Sequence, residues 1–464
     1  MTALKFVCLR LVLGLVLWFP LAAVAAAPAA GPRPNFVVIL SDDLGYGDLG
    51  CYGSTRNRTP NIDRLAAEGV RFTDYHSNGP MCTATRAALL TGLYQHRFGR
   101  KFEGALGGRA GQGGGLPLDA FTLAEALKTQ GYATGIFGKW HLGYEPSFLP
   151  TRQGFDEFRG LVSGDGDHHT HRDRAGGRDW WHNETQVQEE GYTAELLTRH
   201  SISFIERNKD RPFFLYVPHL AIHFPWQGPK DPPHRTEERD YEKDKWGLIP
   251  DPANVAPHVK AMVEALDTSV GEIMATLRRL GLDERTMVIF ASDNGGYNSY
   301  GVHQNISSNG PLRGQKTEVF EGGHRVPGIA RWAGRIAPRV SSDLVAGFDL
   351  FATFLPLAGL AVPRHDGIDL APLLFSGAAM PERTLFWRIA EKRAVRQGPW
   401  KLVQLGGTAP VLFDLNADVG ETKDLAGREP DRVGRMQKAL AQWEADVARG
   451  YQAGAANPSR IRSP

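Results

Sequence analysis

The sequence predicts an α/β protein, with a large mixed, mostly parallel sheet sandwiched by helices and a smaller C-terminal α+β subdomain. Residues 35–40 and 287–291 are short, apolar, β-branched runs, which are typical of strands buried on both faces of a parallel sheet. Segments with strand and helix patterns alternate between these two runs. After about residue 360 the chain changes to short strands and turns that end in a helix, which indicates the smaller subdomain.

The remaining elements are predicted from local patterns. We expect further strands at 133–137, 213–217, 384–389, 401–405 and 411–415, and helices at 119–129, 259–280 and 432–448. The helix at 259–280 has apolar residues at helical spacing, such as Met262, Leu266 and Val270, so its methionines are expected in the core. We place the large domain at residues 33–360 and the subdomain at 361–464.

Composition excludes several classes of protein. The chain has 464 residues, of which 42% are hydrophobic, and 53 Lys and Arg stand against 51 Asp and Glu, for a net charge of +2. This composition is that of a large globular protein. Because the charge is nearly balanced and forms no long block of one sign, we do not expect nucleic acid as a partner.

Residues 1–27 have the pattern of a secretory signal peptide. Lys5 and Arg10 precede a run of mostly Leu, Val and Ala, and the small residues at 23–25 suit a cleavage site. An uncleaved anchor is the alternative, because the apolar run approaches the length that spans a bilayer. No later stretch has that length and character, so we expect a secreted or periplasmic protein without stable membrane insertion.

The cysteines leave two alternatives open. Cleavage would remove Cys8 and leave Cys51 and Cys82. In an exported protein these two could form a disulfide. Alternatively, Cys82 has a chemical role and Cys51 is an ordinary small hydrophobic residue.

Polar side chains follow both of the long buried strands. Asp42 and Asp43 come after the first strand, and Asp293 and Asn294 come after the later one. Open α/β sheets place their sites at the carboxyl ends of strands, so these four oxygen ligands could hold one hard cation such as Ca²⁺. Either pair alone would more often make only a turn.

Residues 82–92, C-T-A-T-R-A-A-L-L-T-G, resemble the sulfatase signature C-x-P-x-R-x-x-L-L-T-G, in which the cysteine is oxidised to Cα-formylglycine. Ala84 stands where proline is usual. Residues 131–143, G-Y-A-T-G-I-F-G-K-W-H-L-G, resemble the second signature of the same family, with Phe137 where a smaller residue is usual. Lys139 and His141 within it are two residues apart, so they can reach one anion from an extended segment.

Further matches follow in the order of the family. They are Asp42 and Asp43, the P-H-L-A-I-H-F-P stretch with His219 and His223, Asp293 and Asn294, the G-Q-K at 314–316, and the tail at 412–425. The resemblance covers nearly the whole mature chain. The sequence is identified as a member of the type I, formylglycine-dependent sulfatases, in the arylsulfatase A-like branch of the alkaline phosphatase superfamily.

This resemblance implies an active site and its cofactors. It assigns catalysis to Cys82, Arg86, Lys139, His141, His223 and Lys316. It assigns one Ca²⁺ to Asp42, Asp43, Cys82, Asp293 and Asn294. One hydroxyl of hydrated formylglycine would attack sulfur, and His141 would deprotonate the second hydroxyl so that sulfate can leave. Arg86 would fix the hydrate, Lys139 and Lys316 would grip the sulfate, and His223 with Lys316 would supply a proton to the leaving alcohol.

The same resemblance implies the partners and leaves alternatives. The substrate would be a sulfated carbohydrate or an aryl sulfate, and a formylglycine-generating enzyme would mature Cys82. A phospho- or phosphonate-ester hydrolase is the nearest alternative, with Thr83 or Thr85 as nucleophile. An inactive sulfated-glycan-binding protein and a module held by a disulfide between Cys51 and Cys82 are the others. The individual substrate, exo or endo action, and the oligomeric state are left open.

Several other residues carry weaker signals. The histidine-rich loop at 164–171 is expected to shape the substrate pocket or to be solvated, and we do not expect a metal there. His219 is expected to be structural or pocket-lining, because the family places its histidine just before x-Pro, as at His223. Trp180 and Trp181 are expected to be anchors of a loop rather than a platform for sugars. The roles of His324 and Arg325 are undecided.

Overall fold

Ten strands form the central sheet of the computed structural model, which describes residues 33–107, 114–243 and 254–452. Its strand order is β13-β2-β12-β9-β1-β8-β4-β5-β6-β7, and the five strands β9-β1-β8-β4-β5 run parallel at its centre. Strand β12 pairs antiparallel with both β9 and β2, and β6 pairs antiparallel with β5. The prediction of a mixed, mostly parallel sheet is confirmed.

The strands of this sheet and of the smaller sheets have the following bounds. They are β1 Asn35–Ser41, β2 Val70–Phe72, β3 Tyr75–His76, β4 Ala133–Lys139, β5 Glu157–Leu161, β6 Trp181–His182, β7 Thr185–Gln186, β8 Phe213–Pro218, β9 Thr286–Ser292, β10 Ser299–Tyr300, β11 His303–Gln304, β12 Gly328–Arg331, β13 Arg339–Ser341, β14 Val345–Ala346, β15 Thr384–Ile389, β16 Lys392–Gln397, β17 Trp400–Leu405 and β18 Val411–Asp414. The helices are α1 Pro60–Ala67, α2 Cys82–Thr91, α3 Leu123–Lys128, α4 Thr193–Asn208, α5 Ala256–Arg279, α6 Glu321–His324, α7 Asp349–Leu357, α8 Ala371–Ser376 and α9 Pro430–Ala448.

Helices cover both faces of the central sheet, and the alternation of side chains along β1 separates two cores. Phe36 and Val38 point into a core shared with α2, α3 and α7. Val37 and Ile39 point into a second core shared with α1, α4 and α5. Because both faces of the strand are apolar and fully buried, the sheet forms the middle layer of the large domain.

The C-terminal region forms a four-stranded antiparallel sheet in the order β15-β16-β17-β18. Helix α9 packs on it through Met436, Leu440, Trp443 and Val447. The same core includes Ala88 of α2, which joins this small sheet to the helix that begins at Cys82. The α+β subdomain is thereby confirmed, whereas its exact boundary at residues 360 and 361 stays a prediction.

Most of the predicted elements lie within a few residues of their expected positions, and the helix at 119–129 needs correction. It begins at Leu123, because Thr122 caps it. The Thr122 hydroxyl accepts from the N–H of Glu125, and the Glu125 carboxylate accepts from the N–H of Thr122. This reciprocal capping box fixes the start of the helix.

Three further expectations concern the termini, the membrane and the cysteines. The predicted signal peptide at residues 1–27 lies outside the described residues. Among the described residues no helix is both long and apolar enough to cross a bilayer. Cys51 and Cys82 are both free, so the alternative of a disulfide between them is wrong for this structure.

Candidate active site

Two pairs of polar side chains meet at the carboxyl ends of β1 and β9, which pair in parallel along their whole length. Asp42 and Asp43 follow β1, Asp293 and Asn294 follow β9, and all four are buried. The main-chain N–H of Asp43 donates to Asp293 Oδ1 at 3.2 Å, and Asn294 Nδ2 donates to Asp43 Oδ1 at 2.8 Å. The sheet therefore brings the four predicted cation ligands together.

Cys82 is the first residue of α2 and lies against this group. Its Sγ is 3.4 Å from Asp42 Oδ1 and 3.3 Å from the Nζ of Lys316. Burial and the nearby carboxylate of Asp42 raise the pKa of the Cys82 thiol to about 12. The thiol is therefore neutral near pH 7 and is not by itself a ready nucleophile.

Three cations balance the three carboxylates of the site. Arg86 donates from Nη2 and Nε to Asp293 Oδ2 at 2.8 and 3.2 Å. Lys139 Nζ lies 2.5 Å from Asp42 Oδ2, and Lys316 Nζ lies 2.5 Å from Asp43 Oδ1. We call these six residues, with Cys82, His141, His223 and Asn294, the active-site cluster.

The electrostatic setting of Lys316 keeps it charged. Burial alone would lower the pKa of this ammonium group, but the carboxylate of Asp43 outweighs that effect and raises the pKa well above its ordinary value. Lys316 also lies over the ring of Tyr297, at 5.3 Å from the ring centroid. A positive charge is therefore held beside Cys82.

The two predicted catalytic histidines are neutral and have defined tautomers. Burial, together with Lys139 for His141 and Lys316 for His223, lowers the pKa of both imidazoles well below the ordinary value. His141 Nε2 lies 3.2 Å from the carbonyl of Leu106, so this nitrogen carries the hydrogen. His223 Nδ1 donates to its neighbouring carbonyl in the same way, and its Nε2 lies 3.8 Å from Asp43 Oδ2.

A cavity of about 540 Å³ opens onto these groups. Cys82, His141, His223 and Lys316 line it. Through this cavity a substrate can reach the side chain of Cys82, a neutral imidazole and the fixed ammonium group of Lys316. This combination of groups suits nucleophilic attack on an ester of a tetrahedral oxyanion.

The rest of the cavity wall is aromatic and polar. The rings of Tyr297 and Tyr300 stack at 4.4 Å with an interplanar angle of 4°, and Phe224 lies 5.9 Å from Tyr300. Arg174 lies over Phe224 and is fixed by Asp165, whose carboxylate accepts from its Nε at 2.8 Å. Asp165 belongs to the loop at 164–171 that was expected to shape the pocket, whereas sequence reasoning missed Arg174, Tyr297 and Tyr300, because a tyrosine or arginine in a loop carries no signature of its own.

The oxygen ligands fit a divalent cation. Asp42, Asp43, Cys82 and His223 each offer one ligand atom, and these four atoms lie within 4.8 Å of one another. The Oδ1 atom of Asn294 is buried and has no hydrogen-bond partner among the described residues. Asp293 is not a member of this group, and its carboxylate accepts from the N–H of Asp43 and from Arg86. Carboxylate and amide oxygens are ligands that Ca²⁺ and Mg²⁺ prefer, so Asp42, Asp43 and Asn294 suit a hard cation.

The histidine-rich loop at 164–171 lines the cavity and hydrogen-bonds to the main chain of His223. Asp165 of this loop lines the cavity, and His168 Nε2 donates to the main-chain carbonyl of His223 at 3.2 Å. No group of potential metal ligands among the described residues includes a member of this loop. The loop therefore belongs to the pocket wall.

The remaining weak signals are accounted for by packing. Trp180 is fully buried and stacks on His171 at 4.3 Å, and Trp181 donates to Asp179, so both anchor a loop. His219 is fully buried, and its Nε2 lies 3.1 Å from the hydroxyl of Ser269. None of these residues lines the cavity.

Thr83 and Thr85, the candidate nucleophiles of the alternative hydrolase, both hydrogen-bond to main-chain carbonyls. The hydroxyl of Thr83 lies 3.2 Å from the carbonyl of His141, and that of Thr85 lies 3.2 Å from the carbonyl of Gly79. Cys82 lines the cavity and these two threonines do not. The geometry thus favours position 82 as the reacting residue.

Comparison with known proteins gives consistent matches. Residues 34–360 match the family model described as Sulfatase. The chain is 35% identical to arylsulfatase A of Bos taurus, covering 92% of this chain and 90% of that protein. It is 37% identical to N-acetylgalactosamine-6-sulfatase of Canis lupus familiaris, covering 83% and 74%. Among solved structures, Ps i-CgsB in complex with k-i-k-neocarrahexaose superposes with a TM-score of 0.79 at 29% identity, covering 91% of this chain and 94% of that one.

The family model covers the large domain, and arylsulfatase A of Bos taurus matches 92% of the chain. They agree with the site, because a signature cysteine, three carboxylates and three cations converge at one end of the sheet. The chain therefore belongs to the sulfatase family, within the alkaline phosphatase superfamily, and is an enzyme that hydrolyses sulfate esters.

Proposed function

We propose that this protein is an exported sulfatase that removes sulfate from carbohydrates, using formylglycine made from Cys82 and a bound Ca²⁺. The observation that carries the proposal is the position of Cys82, which lies within 3.4 Å of both a carboxylate oxygen and an ammonium nitrogen at a cavity wall. A neutral, buried thiol in that position does little chemistry of its own, which favours its conversion to another group.

Formylglycine and Ca²⁺ would each supply one kind of chemistry. Formylglycine, as its hydrate, supplies a hydroxyl nucleophile and a second hydroxyl that can be deprotonated. A Ca²⁺ held by Asp42, Asp43, Asp293 and Asn294 supplies positive charge next to the nucleophile and the sulfate oxygens.

The chain's own residues position the sulfate and move protons. Lys316 and Lys139 place ammonium groups beside Asp43 and Asp42, where they can donate to sulfate oxygens. Arg86 is locked by Asp293 and by the carbonyl of Lys139, so it holds the start of α2 rigidly against the strand ends. This rigidity would keep the hydroxyl nucleophile on residue 82 aligned with the sulfur of the bound sulfate ester.

The two histidines would act at opposite ends of the bond that breaks. His141, neutral and hydrogen-bonded through Nε2, keeps Nδ1 available to accept a proton from residue 82. His223 lines the same cavity beside Lys316, and this pair would protonate the oxygen of the leaving alcohol, with the proton coming from the ammonium group of Lys316 because His223 is neutral. These roles of His141, His223 and Lys316 are the ones that the resemblance to the sulfatase family implies.

Two features support a carbohydrate as the leaving alcohol. The stacked Tyr297 and Tyr300 form an apolar wall for one face of a ring, and Arg174 with Asp165 offers hydrogen bonds beside it. The solved relative Ps i-CgsB was crystallised with k-i-k-neocarrahexaose. An enzyme exported by the proposed signal peptide at residues 1–27 would act on such carbohydrates outside the cytoplasm.

The test uses protein from a host that co-expresses a formylglycine-generating enzyme. Sulfate release is measured on an aryl sulfate and a panel of sulfated sugars, and alcohol release on a matching phosphate and phosphonate ester. We expect sulfate esters to be hydrolysed with the highest kcat/KM and Cys82→Ala to be inactive. A higher kcat/KM on the phosphonate would support the alternative hydrolase, and binding without turnover would support the glycan-binding protein.

A further inference from the structure

A set of hydrogen bonds connects the residue after Cys82 to the base His141. Thr83 follows Cys82 directly and is fully buried. Its hydroxyl donates to the main-chain carbonyl of His141 at 3.2 Å and accepts from the N–H of Leu106 at 3.1 Å. One hydroxyl therefore ties the start of α2 to two other segments of chain.

The Leu106 peptide in turn sets the tautomer of His141. The carbonyl of Leu106 lies 3.2 Å from His141 Nε2, and a carbonyl can only accept, so the hydrogen resides on Nε2. Tyr144 donates to the same carbonyl from its hydroxyl, also at 3.2 Å. His141 Nδ1 is left as the lone-pair nitrogen, buried and without a partner among the described residues.

The ring of His141 has little room to take another orientation. Gly164 closes the other side, because a Cβ atom there would lie 2.6 Å from both Cε1 and Nε2 of His141. The main chain of His141 has a φ of 55°, in the left-handed region that non-glycine residues seldom adopt. Such a conformation persists only where neighbouring contacts hold it, and the hydroxyl of Thr83 is one of those contacts.

We propose that Thr83 is a positioning residue for the catalytic base. Its hydroxyl holds the Leu106 peptide and the His141 main chain together, so that Leu106 fixes the Nε2–H tautomer and Nδ1 keeps the lone pair that would accept the proton. The inference rests on the proposed function, in which His141 acts in the second half of turnover, when sulfate leaves after the alcohol. Thr83 does not touch substrate and acts through His141.

The test separates the two halves of turnover. Thr83→Val keeps the shape of the side chain and removes the hydroxyl, whereas Thr83→Ser keeps the hydroxyl. Thr91→Val is the matched control, because Thr91 is a buried threonine of the same helix whose hydroxyl donates to the Ala87 carbonyl, away from the cavity. All variants are compared with wild type on an aryl sulfate by rapid mixing, with rates and amplitudes divided by the aldehyde content at position 82, measured by mass spectrometry.

We expect Thr83→Val to release a first equivalent of phenol per aldehyde at nearly the wild-type rate and then to turn over about 10- to 100-fold more slowly. Thr83→Ser should recover most of the steady-state rate, and Thr91→Val should match wild type. The inference is overturned if Thr83→Val turns over like Thr91→Val, if the first equivalent slows as much as the steady state, or if serine gives no rescue.

Two controls keep the outcomes distinct. If Thr83→Val carries no aldehyde, Tyr144→Phe takes its place, because it removes the other donor to the Leu106 carbonyl and leaves the signature intact. A slower steady state after a normal first equivalent then supports the inference, and any other result overturns it. Absence of aldehyde or of sulfate release in the wild-type protein would instead contradict the proposed function itself.

Discussion

Two buried clusters in this molecule have the same balance of charge and different hydrogen-bonding states. The first is the active-site cluster. The second, which we call the junction cluster, lies between the large domain and the C-terminal sheet and consists of Asp74, His76, Glu321, His324, Arg325, Arg396, Lys401 and Glu421. Each contains three carboxylates and three cations, and each brings potential metal ligands within 4.8 Å of one another.

In the junction cluster every imidazole nitrogen has a hydrogen-bond partner. His76 Nε2 donates to Asp74 at 2.8 Å, and the Nδ1 atoms of His76 and His324 are hydrogen-bonded at 2.9 Å. His324 Nε2 lies 3.2 Å from both Lys401 Nζ and the carbonyl of Val319, and Trp387 of β15 stacks on the His324 ring at 3.9 Å. All four nitrogens have partners, so the histidines serve to hold the two sheets together.

The active-site cluster leaves groups unsatisfied beside a cavity. Neither Asn294 Oδ1 nor His141 Nδ1 has a partner among the described residues, although both are buried. Burying an unpaired polar atom costs about 1–3 kcal/mol, which folding tolerates where a ligand or a reaction uses the atom. Glu321 Oε1 and Glu421 Oε1 of the junction cluster also lack a hydrogen-bond partner among the described residues, but they lie 2.9 and 3.0 Å from Lys401 Nζ. The residue types alone therefore do not distinguish the two clusters, whereas an imidazole nitrogen without a partner in a residue that lines a cavity, as in His141, does.

The largest expected difference between the clusters is in catalysis. His141→Ala and Lys316→Ala should lower kcat/KM by about 10²- to 10⁴-fold, because they remove the base and a sulfate-binding cation. The measurement is sulfate release per mole of aldehyde at position 82. His219→Gln is the control, since this buried histidine lies outside the cavity, and it should keep its activity. Near-normal sulfate release by either variant would refute the role assigned to that residue.

Breaking the junction cluster should instead cost stability. Lys401 Nζ lies 2.9 Å from Glu321 and 3.0 Å from Glu421, and all three side chains are buried. Lys401→Met leaves the buried Glu421 without its cation and removes one of the three cations that face Glu321, so the free energy of unfolding should fall by about 3–5 kcal/mol while kcat per folded molecule is unchanged. Urea unfolding measures the loss. Lys260→Met, which breaks an exposed pair with Glu264, should change stability by less than about 1 kcal/mol.

A different outcome would change this interpretation. If Lys401→Met unfolds at the same urea concentration as Lys260→Met, the junction cluster does not hold the sheets together. If it folds normally and loses turnover, the junction cluster belongs to the catalytic machinery.

Metal binding distinguishes the clusters with a smaller effect. After chelation, added Ca²⁺ should restore activity and, at 100 times its Kd, raise the free energy of unfolding by about 2.7 kcal/mol. Asn294→Ala should weaken this stabilisation, because it removes an oxygen ligand, whereas His324→Gln should retain it. Calcium titrations followed by thermal unfolding measure both. The reverse pattern would place the ion in the junction cluster, and full activity in metal-free protein would refute the metal assignment.

The smallest effect is on the pH dependence of stability. Burial lowers the pKa of His76, and burial with the charge of Lys401 lowers that of His324, so both are neutral in the folded protein. An unfolded histidine takes up a proton near pH 6.5, so the unfolded state binds more protons below that pH. The free energy of unfolding should therefore fall as pH decreases below about 6.5, by up to about 1.4 kcal/mol per pH unit for each histidine.

Variants isolate this contribution from those of other buried histidines. His324→Gln should reduce the slope of unfolding free energy against pH between about 6.5 and 5, relative to wild type. His182→Gln, at an exposed position, should leave the slope unchanged. Identical slopes in wild type and His324→Gln would mean that His324 does not titrate with folding.

The difference between the clusters also explains what could be predicted from sequence. Asp42, Cys82, His141 and Lys316 lie in local signatures, and the parallel pairing of β1 and β9 brings the strand ends together as expected for an open α/β sheet. The start of α3 was misplaced because the pattern continued through residues that precede the Thr122 cap. Local sequence thus predicts the sheet and its catalytic ends.

The junction cluster and the support of His141 could not be predicted in this way. Glu321 and Lys401 meet only after the C-terminal sheet has packed on the large domain, and they are far apart in sequence. The carbonyl of Leu106 carries no side-chain signature, although it fixes the tautomer of His141. Contacts of this kind depend on tertiary packing, which single-residue patterns do not specify.

The central claim is that residue 82 reacts as formylglycine in the active-site cluster. Mass spectrometry of the tryptic peptide from Phe72 to Arg86, with an aldehyde-reactive probe, tests it directly on protein from the native host or one that co-expresses a maturation enzyme. The account predicts an aldehyde at position 82 in the fraction that releases sulfate. An unmodified thiol in protein that hydrolyses sulfate esters at the full rate would contradict it.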